Sequence, residues 1–214
     1  MRKKAVIFDL DGVIVTTDEF HYQAWNQISE EENLHFNREI NEKLRGVSRS
    51  ESLKIIIKYS KKDFSEFGQE QLTERKNDIY KKLLTTISAK DILPGVCPLI
   101  TKLKEQGIKI AIGSSSKNAK YILEKIGLLN LFDVVADGTD IKRSKPDPEV
   151  FLLAAERLGI KAGDCVVVED AEAGIEAALT AGMKAVGVGS AASYPGTELG
   201  SLSLEQMNIN DILK

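Results

Sequence analysis

Five short apolar runs, four of them closing on polar residues and each separated from the next by a helical pattern, constrain this chain more than any other feature. They are "AVIFDLD" (5–11), "IKIAIGSSS" (108–116), "FDVVAD" (132–137), "CVVVED" (165–170) and "AVGVG" (185–189). Runs of this length and composition suit strands covered on both faces. Between the later ones lie "GVCPLITKLKEQG" (95–107), "SKNAKYILEKIG" (116–127), "DPEVFLLAAERLG" (147–159) and "DAEAGIEAALTAG" (170–182), all helical by periodicity. Each helix finishes at a glycine, which suits the left-handed position at a helix end. Asp147 before Pro148 predicts an N-cap with proline in the first turn. The alternation implies an α/β fold with a Rossmann-like core, a parallel sheet between helix layers, whose ligands bind at the carboxyl ends of the strands.

Residues 17–86 break the pattern. "DEFHYQAWNQISEEENL", "SESLKIIIKYS" and "FGQEQLTERKNDIYKKLLTTI" are helical and charge-dense, with no clear strand. They predict an α-helical cap domain inserted after the first strand, leaving 1–16 and 87–214 to the core. "VTTDEF" and "TTISAKDILPG" would be its two linkers, side by side, which is a natural hinge.

Composition narrows the classes. With 214 residues, 43% hydrophobic and 29% charged, the chain can bury a sizeable core. A net charge of −3 gives no electrostatic footprint for nucleic acid. No apolar stretch approaches the roughly 20 residues needed to cross a bilayer, and Asp9 and Asp11 interrupt what would otherwise follow a signal-like start. Cys97 and Cys165 stand outside any CxxC pattern, which suits a reducing compartment and a cytoplasmic location. Nothing suggests an extensive obligate interface, so a monomer is expected.

The polar residues gather where that architecture places a ligand. Asp9 and Asp11 follow the first strand, Ser114, Ser115 and Ser116 the second, and Glu169 and Asp170 the fourth; Lys145 stands before Pro146. Carboxylates converging at one sheet edge repel unless a cation lies between them, and oxygen-only ligands suit a hard ion such as Mg²⁺. Ser114, the amides after it and Lys145 suit a phosphate. Taken singly, Asp170 also reads as a helix cap, the serines as a turn, Lys145 as a solvated lysine and Glu169 as a half-exposed strand end. Their coincidence at successive strand ends points instead to phosphoryl transfer with a carboxylate nucleophile.

"FDLDGVI", "GSSSK", "SKPDP" and "VVVEDAEAGIEAA" resemble, in order and spacing, the four motifs of the haloacid dehalogenase superfamily of phosphotransferases. The resemblance implies Asp9 as nucleophile and Asp11 as general acid/base. It assigns Ser114, Ser115 and Lys145 to the transferring phosphate, and Asp9, Glu169 and Asp170 with the Asp11 carbonyl to Mg²⁺. Ala171 departs from the pattern, since relatives often carry serine there.

The cap would select the substrate. "LRGVSRSES" places Arg45, Gly46, Val47, Ser48, Arg49 and Ser52 around a turn at a helix start, which suits an anion or, equally, a capped helix with solvated arginines. Lys76, Lys117 and Asn118 could complete such a site. His21 and Trp25, on one helical face, read singly as an interface histidine and a core residue; beside Thr17 they read as contacts to a sugar. These cap segments are similar to those of family members that move phosphate within one sugar. That similarity implies interconversion of β-D-glucose 1-phosphate and glucose 6-phosphate through β-glucose 1,6-bisphosphate, with Thr17 and His21 assisting Asp11. A Mg²⁺-dependent phosphatase of small sugar phosphates or phosphoglycolate is the rival on the same scaffold. A non-catalytic module that kept the fold is the rival from another class.

Overall fold

The computed structural model describes residues 2–214. Six strands form one parallel sheet: β1 (Ala5–Phe8), β2 (Lys109–Gly113), β3 (Val134–Ala136), β4 (Cys165–Glu169), β5 (Lys184–Val188) and β6 (Leu199–Ser201), in the order β3-β2-β1-β4-β5-β6. β1 lies between β2 and β4, with Val6 level with Ile110 and Val166. Strand order reverses beside it, which is where a doubly wound sheet opens a crevice for ligands.

Two cores follow from the two-residue period of the strands. Val6 and Phe8 join Ile110, Ile112, Val166 and Val168 on one face. Ala5 and Ile7 join Ala111, Cys165 and Val167 on the other. The first face is covered by α5 (Val96–Glu105), α6 (Ala119–Lys125) and the short C-terminal α9 (Ile209–Ile212) through Leu99, Leu103, Ile122, Leu123 and Ile212. The second is covered by α7 (Glu149–Leu158) and α8 (Glu172–Thr180) through Val150, Phe151, Ala154, Ile175 and Ala178. Gly107, Gly127, Gly159 and Gly182 have the positive φ expected after their helices.

Between β1 and β2 the chain forms α1 (Asp18–Glu31), α2 (Arg38–Glu42), α3 (Arg49–Ser60) and α4 (Glu66–Leu84). This insertion has its own apolar cluster of Trp25, Ile28, Leu34, Ile40, Leu44, Leu53, Ile56 and Leu72. Its two connections run together: Val15 bridges Ile92, and the Leu93 amide donates to the Ile14 carbonyl at 2.9 Å.

Three details differ from the sequence expectation. β6 adds a sixth strand; "LGS" is a short, half-buried edge with no apolar periodicity to announce it. The five-residue α2 is too short to show a helical period. Asp147 does accept the Glu149 amide at 3.0 Å, but the helix begins at Glu149, so Pro148 takes the cap position one residue later than expected. The Lys145–Pro146 peptide is cis.

Candidate active site

Asp9 leaves β1 with its amide bonded to the Val168 carbonyl at 3.0 Å, fixing it at the carboxyl edge of the sheet. Lys145, buried on the loop before α7, donates to Asp9 and, at 2.6 Å, to Glu169. Burial opposes the Lys145 charge, yet Asp9 and Glu169 hold its pKa above the ordinary lysine value. Burial likewise raises the Asp9 carboxyl, against the pull of Lys145.

Glu169 ends β4 and turns its second oxygen onto the Asp170 and Ala171 amides, at 2.8 and 3.0 Å. Gly174 in the first turn of α8 leaves room for it: a Cβ there would lie 1.9 Å from the Glu169 carboxylate. Asp170 is buried against Gly12, and Ser190 donates to its carbonyl at 2.7 Å. Burial and Glu169 push the Asp170 carboxyl up to about 7, with Arg45 opposing them. Oxygens of Asp9, Glu169 and Asp170 lie within 4.8 Å of one another. An all-oxygen, carboxylate-rich set of this size fits a hard divalent cation. The Asp11 carboxylate is not in that cluster among the described residues.

Asp11 faces the insertion instead. It accepts the Thr17 hydroxyl, which in turn lies 2.8 Å from Tyr80 Oη. Burial lifts Asp11 to about 6, with the Thr17 bond opposing. His21 lies tilted against Tyr80, ring centroids 4.2 Å apart, and its Nδ1 is 2.8 Å from Lys76 Nζ. Burial, followed by the Lys76 and Arg49 charges, drives the His21 pKa well down. Lys76 is itself buried between the rings of Trp25 and Tyr80, 5.3 and 4.5 Å away, and burial followed by Arg49 depresses its pKa strongly. Trp25 is thus nearly wholly buried behind Lys76 while still lining the cavity.

The serines after β2 form successive turns. Ser114 Oγ accepts the Ser116 amide at 3.2 Å, and Ser116 Oγ accepts the Asn118 amide at 3.2 Å. The buried Ser115 hydroxyl has no hydrogen-bond partner. Asn118 reaches across to Asn77 of α4 at 3.1 Å, and Lys117 is exposed beside it.

One cavity of about 840 Å³ brings these groups together. Its sheet side carries Asp9, Asp11, Ser114, Ser115, Ser116, Lys117, Asn118, Lys145 and Asp170; its insertion side carries His21, Trp25, Arg45, Gly46, Val47, Ser48, Arg49, Ser52 and Lys76. Within that set the roles diverge. Ser48 caps α3 through the Glu51 amide, and Ser52 returns its hydroxyl to the Ser48 carbonyl. Arg49 donates to the Thr73 carbonyl at 3.0 Å. Arg45 turns away from them toward Asp170 and Asp18. Thr17 and Glu169 do not line the cavity and act from behind Asp11 and Lys145. Tyr80, Asn77 and Gly174 lie outside the site residues expected from sequence, and Asp18 enters there only as part of the first linker. Tyr80 follows Lys76 by one helical turn, which is the signal that could have found it.

Comparison with known proteins agrees with this geometry. The haloacid dehalogenase-like hydrolase profile matches residues 3–182. A β-phosphoglucomutase of Bacillus subtilis is 43% identical over 198 residues, covering 92% of this chain and 88% of its own. A phosphorylated-carbohydrates phosphatase of Thermotoga maritima is 31% identical, covering 86% of this chain and 83% of its own. The crystal structure of a β-phosphoglucomutase from Clostridium difficile superposes with a TM-score of 0.91 at 38% identity, over 97% of this chain and 94% of that one. The chain belongs to the haloacid dehalogenase-like hydrolase family.

Proposed function

We propose that the protein is a phosphomutase that interconverts β-D-glucose 1-phosphate and glucose 6-phosphate, through an aspartyl phosphate on Asp9 and β-glucose 1,6-bisphosphate. The observation that carries this reading is one cavity with a cationic group on each wall: Lys145 on the sheet side and Arg49 on the insertion. A bisphosphate needs an anion site at each end, and a simple phosphatase needs only one. The B. subtilis β-phosphoglucomutase, at 43% identity, supports the same reading.

Asp9 attacks phosphorus, forming its O–P bond as the bond to the sugar oxygen breaks. Asp11 gives that oxygen its proton and takes one from the second hydroxyl in the reverse half. A carboxyl raised to about 6 is suited to both roles. Lys145 and Ser114 steady the phosphoryl oxygens. Mg²⁺ held by Asp9, Glu169 and Asp170 would supply further charge neutralisation there. The chain from Tyr80 through Thr17 to Asp11 ties the acid to the insertion, so residues 17–86, read as a cap on a core of 1–16 and 87–214, orient Asp11 as they shield the site. His21, held by Lys76, would bond a sugar hydroxyl. The chain is read as a monomer, and the free Cys97 and Cys165 are in keeping with a cytoplasmic setting.

A phosphatase of small sugar phosphates is the second reading, favoured by the phosphatase among the relatives. Arg49→Ala separates the two. Mutase turnover should fall by about 10²-fold or more, while hydrolysis of acetyl phosphate, which has no distal phosphate, changes little. Equal losses in both assays would contradict a distal phosphate site.

A further inference from the structure

Arg45 belongs to the insertion, yet its guanidinium is held at the sheet edge. Nη2 lies 2.6 Å from Asp170 Oδ2 and 2.8 Å from Asp18 Oδ2, and Nη1 lies 3.3 Å from Glu42. Three segments meet at this one group: the end of β4, the start of α1 just past the first linker, and the turn after α2. The Asp170 side chain is 8% exposed and that of Arg45 27%, so water and salt screen their contact less than an ordinary surface bridge. The turn bearing Arg45 presses on the same spot. Gly46 has φ +75°, and a Cβ there would meet that of Ala171, the residue after Asp170, at 3.1 Å.

The three carboxylates of the cluster divide by the origin of their counter-charge. Lys145 serves Asp9 and Glu169 from within the sheet side, whereas Arg45 serves Asp170 from the insertion. We propose that Arg45 is a positioning residue that couples docking of the insertion to the cation-binding carboxylates by neutralising Asp170 from the insertion side. The proposal rests on reading Asp9, Glu169 and Asp170 as a divalent-cation site. A cation in the cluster and the Arg45 guanidinium both draw on the charge of Asp170. Each therefore weakens the hold of the other, and linkage makes the effect reciprocal. Docking lowers cation affinity, and a bound cation loosens docking. The second effect would ease opening of the cavity when a bisphosphate must turn between half-reactions.

Calorimetric titration of the full chain with Mg²⁺ alone, together with solution scattering, tests this. Arg45→Met keeps the stem and removes the charge; it should bind Mg²⁺ about five-fold more tightly or better and scatter as a more open particle. Arg45→Lys keeps the charge and should stay near the parent. Unchanged or weaker binding by Arg45→Met overturns the proposal. So does Arg45→Lys behaving like Arg45→Met, because geometry and not charge would then be responsible. Asp170→Asn checks the underlying reading separately. Unchanged Mg²⁺ affinity there overturns the cation site itself, whereas a strong loss there with no change in Arg45→Met overturns the coupling alone.

Discussion

At the scale of single residues, the site is built by burying charges and pairing almost all of them. Asp9 shares Lys145 with Glu169, and Asp170 has Arg45. With Asp11 turned toward Thr17, Asp9 has no substitute in the proposed role of nucleophile. Asp9→Asn should lower turnover in a coupled glucose 6-phosphate assay by about 10³-fold or more; activity at the parent level would contradict Asp9 as the nucleophile. Lys76 has no carboxylate partner among the described residues, and its neighbours are two aromatic rings and an imidazole. Its folded pKa is depressed below the ordinary 10.5, so the unfolded chain binds its proton more readily. Stability must then rise with pH through the window between the folded pKa and 10.5, and the cost of burying Lys76 is greatest below that window. Lys76→Met should therefore raise the urea midpoint near neutral pH and flatten the rise toward alkaline pH. An unchanged slope would contradict an uncompensated Lys76.

At the scale of elements, the strand ends carry the chemistry and the helix starts hold it in place. α8 illustrates how a local preference is overruled. Alanine at position 174 would gain about 1 kcal/mol in helix propensity over glycine. Its Cβ would stand 1.9 Å from the Glu169 carboxylate, which is buried and bonded to two amides. Forcing such a clash costs about 1–3 kcal/mol, so Gly174→Ala should lower the thermal midpoint and Mg²⁺ affinity together; a higher midpoint would show that Glu169 can move aside. This element also marks what sequence could and could not convey. Asp9, Ser114, Glu169 and Asp170 were legible because apolar runs announce buried strands and each of these residues ends or directly follows one. Gly174 was not, because a glycine within a helical pattern does not name the side chain that needs its space. Tyr80 reads as one more apolar position on α4 until Thr17 is found beside its hydroxyl. Arg45 and Arg49, four apart in one turn, look alike in sequence, yet one faces the carboxylates and the other the Thr73 carbonyl. Only the path of the chain between α2 and α3 separates them.

At the scale of the molecule, a sheet that presents reactive groups at one edge is faced by a helical insertion that completes the cavity. The paired linkers at Val15 and Ile92 make the two parts close neighbours while leaving a compact pivot. Asn118 with Asn77, Thr17 with Asp11 and Arg45 with Asp170 then cross between them close to the cavity. Shielding from water is what distinguishes a mutase from a phosphatase on this scaffold, because the aspartyl phosphate must wait for a sugar hydroxyl. The account is therefore tested most directly by following glucose 6-phosphate and inorganic phosphate in parallel from β-D-glucose 1-phosphate, with and without added β-glucose 1,6-bisphosphate. Glucose 6-phosphate should accumulate quickly only with the bisphosphate, the α-anomer should be a poor substrate, and phosphate should remain a minor product. Stoichiometric release of phosphate from the β-anomer would contradict the mutase assignment.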